Sequence, residues 1–154
     1  MGRASRSDLI RIVTDSSCDL PQQLLNRFKI AVVPLIVNFG TESYLDLELS
    51  PQAFWKKAAE GDVPQTSQPS LGVFEEVFER LVAQGKQVLC ITLTGKHSGT
   101  TDAARVAAER FGEAVRVFDS YSLSLGVGFQ ALVAAKAAEA GCSIEEIVSV
   151  LEEV

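Results

Sequence analysis

Short β-branched runs alternate along this chain with segments whose apolar positions recur at three- and four-residue spacing, which predicts strands alternating with amphipathic helices. The runs 10–13, 88–93 and 115–118 read as buried strands. The run 30–37 contains Pro34 and fits a kinked or edge strand better than a central one. Gly40 and its polar neighbours predict a turn ahead of Tyr44 and Leu45. A helix follows the first strand, with Pro21 near its first turn and Leu24, Leu25 and Phe28 on one face. Ser50 and Pro51 open a second, with Phe54 and Trp55 on its inner side and Gly61 past its end.

Residues 61–70, with Pro64 and Pro69, read as one long polar loop. Beyond it Leu71, Phe74, Phe78, Leu81 and Val82 form a helical stripe that Gly85 terminates. Ala103, Ala104, Val106, Ala107, Ala108 and Phe111 predict a small-residue helix able to pack close to a sheet. An Ala-rich helix over 126–140 is closed by Gly141, and Ser143 with Glu146 forms a capping box for a last helix with Ile144, Ile147, Val148 and Leu151 inward. That helix reaches Val154 with no glycine or proline after it, so the chain is expected to have been meant to continue into a second domain absent here. Residues 1–8 are expected to be a disordered or tag-like tail, and 9–154 an α/β domain whose mostly parallel sheet is sandwiched by helices.

At 154 residues and 47% hydrophobic, the chain can bury one full-sized core. The net charge of −6, with no local basic cluster, disfavours nucleic acid and anionic lipid surfaces as partners. The weakly polar stretch 120–135 is too short and too interrupted to span a bilayer, so no stable membrane insertion is expected. Cys18, Cys90 and Cys142 are odd in number and lack metal-ligand spacing, which points away from a disulfide framework or zinc site and towards a reducing cytoplasm.

In parallel α/β folds the loops leaving the carboxyl ends of strands build the ligand crevice. Three polar loops qualify, 14–17, 94–100 and 119–122, and the segment 66–70 could lean over the same edge. Ser98-Gly99-Thr100 ahead of a helix suits an anion, since free N–H groups and hydroxyls converge there, although the same residues describe an ordinary helix cap. His97 with Ser98 or Ser120 and an aspartate would make a small hydrolase; a loop-packing histidine is the plainer reading, and no GxSxG elbow is present. Gly126-Val127-Gly128 fits a loose dinucleotide pattern but stands too far from a strand end, so close helix packing is expected of it. No GxxxxGK[ST] loop occurs, and Asp15 and Asp119 are expected to hydrogen-bond loop backbone rather than hold a metal.

Thr14-Asp15-Ser16, Val33-Pro34-Leu35, Thr66-Ser67-Gln68-Pro69-Ser70, Ser98-Gly99-Thr100 and Asp119-Ser120 followed by Gly126 and Gly128 together resemble the DegV family in order and spacing, over nearly the whole chain. The resemblance implies a bacterial protein of two α/β domains holding a long-chain fatty acid such as palmitate between them. It would act as the acyl carrier for the separate ATP-binding subunit of a fatty acid kinase, with no catalytic residue, cofactor or metal of its own. By the same resemblance the carboxylate contacts fall on Thr66, Ser98 and Gly99, while Asp15, Ser16, Ser67, His97, Thr100, Asp119 and Ser120 shape the site. The sequence departs from the family pattern where His97 replaces a leucine, Thr94-Gly95 a serine pair and Thr101 a tyrosine. Without a second domain the apolar channel wall is expected to face water and to drive self-association, or to bind lipid poorly. An interaction domain with a vestigial pocket is the remaining alternative.

Overall fold

The computed structural model describes residues 9–61 and 63–154. The expected tail at 1–8 and Asp62 of the 61–70 loop lie outside the described residues. The central sheet is parallel, four-stranded and ordered β2-β1-β6-β7, from β1 (Ile10–Asp15), β2 (Ala31–Val33), β6 (Gln87–Thr92) and β7 (Val115–Asp119). Alternate residues of these strands feed two separate cores, as a two-residue period requires. Ile10 and Ile12 of β1 with Leu89 and Ile91 of β6 join the core under α1 (Gln22–Arg27), α5 (Leu125–Glu139) and α6 (Ile144–Leu151). Val13, Val88 and Cys90 join the opposite one, under α3 (Leu71–Ala83) and α4 (Thr100–Ala108).

The run 30–37 is not one strand. β2 ends at Val33, and the chain resumes as β3 (Ile36–Phe39) in a second, antiparallel sheet with β4 (Glu42–Leu45) and β5 (Gln65–Ser67), ordered β4-β3-β5. Pro34 lies at the crossing; it has no N–H to offer either ladder, so a strand cannot run through it unbroken. The turn expected at Gly40 joins β3 to β4 through two residues, with Gly40 at φ +56°. Residues 61–70 are likewise not wholly loop, because β5 pairs with β3, Thr66 opposite Val37.

Helix boundaries follow local chemistry. Ser50 caps α2 (Pro51–Ala59) by accepting from the Ala53 N–H at 3.2 Å, and Ser143 and Glu146 close a capping box on α6. Gly61, Gly85 and Gly141 follow α2, α3 and α5 at φ +107°, +74° and +88°. Trp55, expected inward, is 68% exposed. Phe54 takes the inner place against Phe39, ring centroids 5.5 Å apart, and the next residue is turned about 100° around the helix. Leu71 and Val106 are also exposed, and Phe111 lies beyond α4 in a 3-10 turn packed edge-on to Phe78. No helix among the described residues is long and apolar enough to cross a membrane.

Candidate functional site

All four parallel strands end at one edge, and the polar ends of β1, β6 and β7 are tied to the loops there. The buried Asp15 carboxylate receives the Leu93 N–H at 2.7 Å on one oxygen and the Ser17 N–H at 3.0 Å on the other. Burial pushes the Asp15 carboxyl above its ordinary value, against the lowering effect of the Ser17 hydroxyl and the two amides. Ser16 Oγ receives the Leu35 N–H at 3.0 Å, and Asp119 receives the Gly95 N–H at 3.0 Å and the Tyr121 N–H at 2.9 Å. The two aspartates therefore do hydrogen-bond loop backbone. Thr101 Oγ1 donates to the Leu93 carbonyl at 2.9 Å and stands 2.9 Å from Thr92 Oγ1, pinning the start of α4 to the end of β6.

Over this frame lies a cavity of about 500 Å³. Thr66 and Ser67 of β5 and Gln68 just past it line one side, and His97, Ser98 and Gly99, just ahead of α4, another. Leu35, Leu93 and Leu123 supply its apolar side. The backbone N–H groups of Leu35 and Leu93 are those held by Ser16 and Asp15, so the polar strand ends fix the position of two of the three leucines.

The expected site residues thus divide in two. Thr66, Ser67, His97, Ser98 and Gly99 come together around one cavity, whereas Asp15, Ser16, Thr100, Asp119 and Ser120 do not line it. Asp119 and Ser120 instead border a separate hollow of about 560 Å³ with Arg105, Arg116 and Gln130. Gln68, Leu35, Leu93 and Leu123 were not among the expected site residues; Gln68 stood inside the quoted motif, and Leu93 directly follows the last residue of β6.

Ser98 has a defined chemistry. Its Oγ accepts the Thr100 N–H at 3.2 Å and lies 2.8 Å from Thr100 Oγ1. Thr100 is fully buried, and in its contact with Ser98 either hydroxyl can be the donor. Ser98 thus holds the first amide of α4 from one residue before its N-cap, Gly99. The first turn of α4 adds orphan N–H groups and the positive end of its dipole. Gly99 admits the Gln68 side chain, because a Cβ there would collide with the Gln68 amide oxygen.

Among the described residues no hydrogen bond joins His97 to Ser98, Ser120 or an aspartate, and Ser120 Oγ is bonded instead to the Ser122 backbone. Gly128 has the role expected of it: α5 packs so closely that a Cβ there would meet the Cys18 carbonyl oxygen and Leu20 Cδ2. The three cysteines are free, Cys18 and Cys90 buried and raised above the ordinary thiol value by that burial.

The domain is a three-layer α/β/α fold with a leucine-backed cavity, lined also by hydroxyl side chains, at the carboxyl edge of its parallel sheet. The model of the DegV family, described as "Uncharacterised protein, DegV family", matches residues 9–154, and the chain belongs to that family. It is 41% identical over 146 residues to a DegV domain-containing protein of Caldanaerobacter subterraneus subsp. tengcongensis, covering 94% of this chain and 52% of that protein. A DegV family protein from Thermus thermophilus, whose structure is described as one of fatty acid binding, superposes with a TM-score of 0.87 at 40% identity, over 94% of this chain and 52% of the other. DegV from Bacillus subtilis, described as a fatty acid binding protein, gives 0.85 at 33%, over 94% and 52%. The chain spans about half the length of the relatives it matches.

Proposed function

We propose that this domain holds the head group of a long-chain fatty acid such as palmitate, its carboxylate accepting hydrogen bonds from Thr66, Ser98 and the Gly99 amide, and that it serves as the acyl carrier of a separate, ATP-binding fatty acid kinase subunit. The observation that carries this reading is the meeting of β5 and the first turn of α4 around one leucine-backed cavity. The description of two structural neighbours as fatty-acid-binding supports it. Asp15, Ser16, Thr100, Asp119 and Ser120 act from behind, by holding the loops that carry the contacts.

Energetics suit a carrier. About 14 methylenes at roughly 0.8 kcal/mol each give on the order of 11 kcal/mol gross on burial, close to what a bilayer offers the same tail. Selective loading then rests on the head group, where each charge-assisted hydrogen bond contributes about 1.5 to 3 kcal/mol. Three leucines cannot enclose such a tail, so the remaining wall must come from another surface, in this reading a second domain like the part of the relatives this chain does not span. Exposed Leu123, Leu125 and Phe129 near this edge would favour self-association where that surface is lacking. A cytoplasmic setting fits the free thiols.

Ser98→Ala tests the head-group contacts. It is expected to cost about 1 kcal/mol of stability through the lost hydrogen bond to the Thr100 N–H and to weaken palmitate binding at least tenfold, read by equilibrium dialysis beside thermal unfolding. Unchanged palmitate affinity in a folded variant would remove Ser98 from the site. Mass spectrometry of lipid extracted from the purified protein identifies the acyl chain.

A further inference from the structure

The backbone of Gly99 does not itself call for glycine, since its φ of −74° lies outside the left-handed region that favours that residue. What a side chain there would strike is Gln68. A Cβ on Gly99 would overlap Gln68 Oε1 and stand 2.9 Å from its Cδ and 3.3 Å from its Nε2. The carboxamide therefore lies across the residue that precedes α4, and among the described residues it has no hydrogen-bond partner. From this geometry we infer that Gln68 is a further head-group residue of the cavity: its carboxamide, admitted by the bare Gly99, donates an Nε2–H to the anionic head group at the start of α4. The inference rests on the fatty-acid reading above and adds to it a neutral donor from the β5 side.

Both neighbours of Gln68 fix where its side chain starts. Ser67 pairs with Ile36 in the antiparallel sheet, and Pro69 is buried directly after it. Residues two apart in extended backbone share a face, so Gln68 follows Thr66 towards the cavity that both line. The Ser67 hydroxyl between them is held by Asn38 Nδ2 at 3.2 Å. At the tip of Gln68, Oε1 is the atom nearest Gly99, and a half-turn about the last side-chain torsion puts Nε2 there instead. An anion at a helix start needs donors, and Nε2 carries two. Glutamine supplies them without a charge. Its isostere glutamate would set a negative oxygen where those of the ligand must lie, and like charges brought together weaken binding.

The test measures palmitate and hexadecanol affinity by equilibrium dialysis at about pH 8, where a glutamate is ionised, with thermal unfolding beside it. The proteins are the wild type, Gln68→Ala, Gln68→Glu, Gly99→Ala and the double variant Gln68→Ala/Gly99→Ala. Gln68→Ala is expected to weaken palmitate binding about tenfold, the weight of one hydrogen bond to a charged group. Gly99→Ala is expected to weaken it equally with no loss of thermal stability, because the atoms its Cβ meets first are the far end of a long side chain. The double variant is expected to match either single one, as two changes acting through one contact must. Gln68→Glu is expected to bind palmitate more weakly than Gln68→Ala does, and uncharged hexadecanol at least as well. Palmitate binding by Gln68→Ala at wild-type strength, or losses that multiply in the double variant, would overturn the inference and leave the fatty-acid reading standing. Absence of palmitate binding by the wild type would overturn both.

Discussion

Asp15 sits fully buried at the end of β1, bonded to the Leu93 amide that positions one wall of the cavity. Because burial raises its carboxyl pKa in the fold, the folded protein binds more protons here than the unfolded chain does, and this group's stabilising contribution is full in acid and is lost as pH rises. Asp15→Asn, which keeps the shape and one acceptor oxygen, is therefore expected to be less stable than wild type by about 0.5 to 1.5 kcal/mol near pH 4, with the gap narrowing towards neutrality. Urea midpoints at the two pH values decide it; a gap that widens with pH would mean that the fold favours the carboxylate. At this scale part of the cavity's lining was readable. Ser98 and Gly99 stood out as a polar helix start, and Asp15 as a strand end needing backbone partners, which it has in the Leu93 and Ser17 amides. Gln68 and the three leucines were not readable, since which side chains border a cavity depends on how three separate segments meet.

Periodicity and cap agreed in α6, where the Ser143–Glu146 capping box opens a helix that buries Ile144, Ile147, Val148 and Leu151. The second sheet escaped notice. Its strand β5 is three exposed residues, Gln65 to Ser67, with no apolar alternation to mark them, and what makes it a strand is pairing with β3 more than 25 residues earlier in the chain. Pro34 marked a break correctly but not that the two halves enter different sheets. Helix packing gives a sharper test. Gly128→Ala drives a Cβ into the Cys18 carbonyl and Leu20 and is expected to destabilise by about 1 to 3 kcal/mol, whereas Gly72→Ala in α3, whose Cβ would meet Ser70 Oγ at an unstrained 4.0 Å, is expected to stabilise by up to about 1 kcal/mol. Equal effects of the two in thermal unfolding would show that α5 does not approach the turn at Ser16–Cys18 as closely as described.

For the whole molecule, the parallel sheet brings its polar ends to one edge and the antiparallel sheet carries Thr66 across to meet them. Strand alternation predicted the first half of that arrangement, because parallel strands with right-handed crossovers must place their loops together. The second half depends on the chain leaving one sheet for another at Pro34. The account stands on the head group lying between β5 and α4. A crystal structure of the protein with palmitate measures this directly. The predicted result places the carboxylate oxygens within about 3 Å of Ser98 Oγ, Thr66 Oγ1 and the Gly99 N–H, with the tail leaving along Leu35, Leu93 and Leu123. A carboxylate found instead against Arg105 and Arg116, in the hollow beside β7, would contradict it.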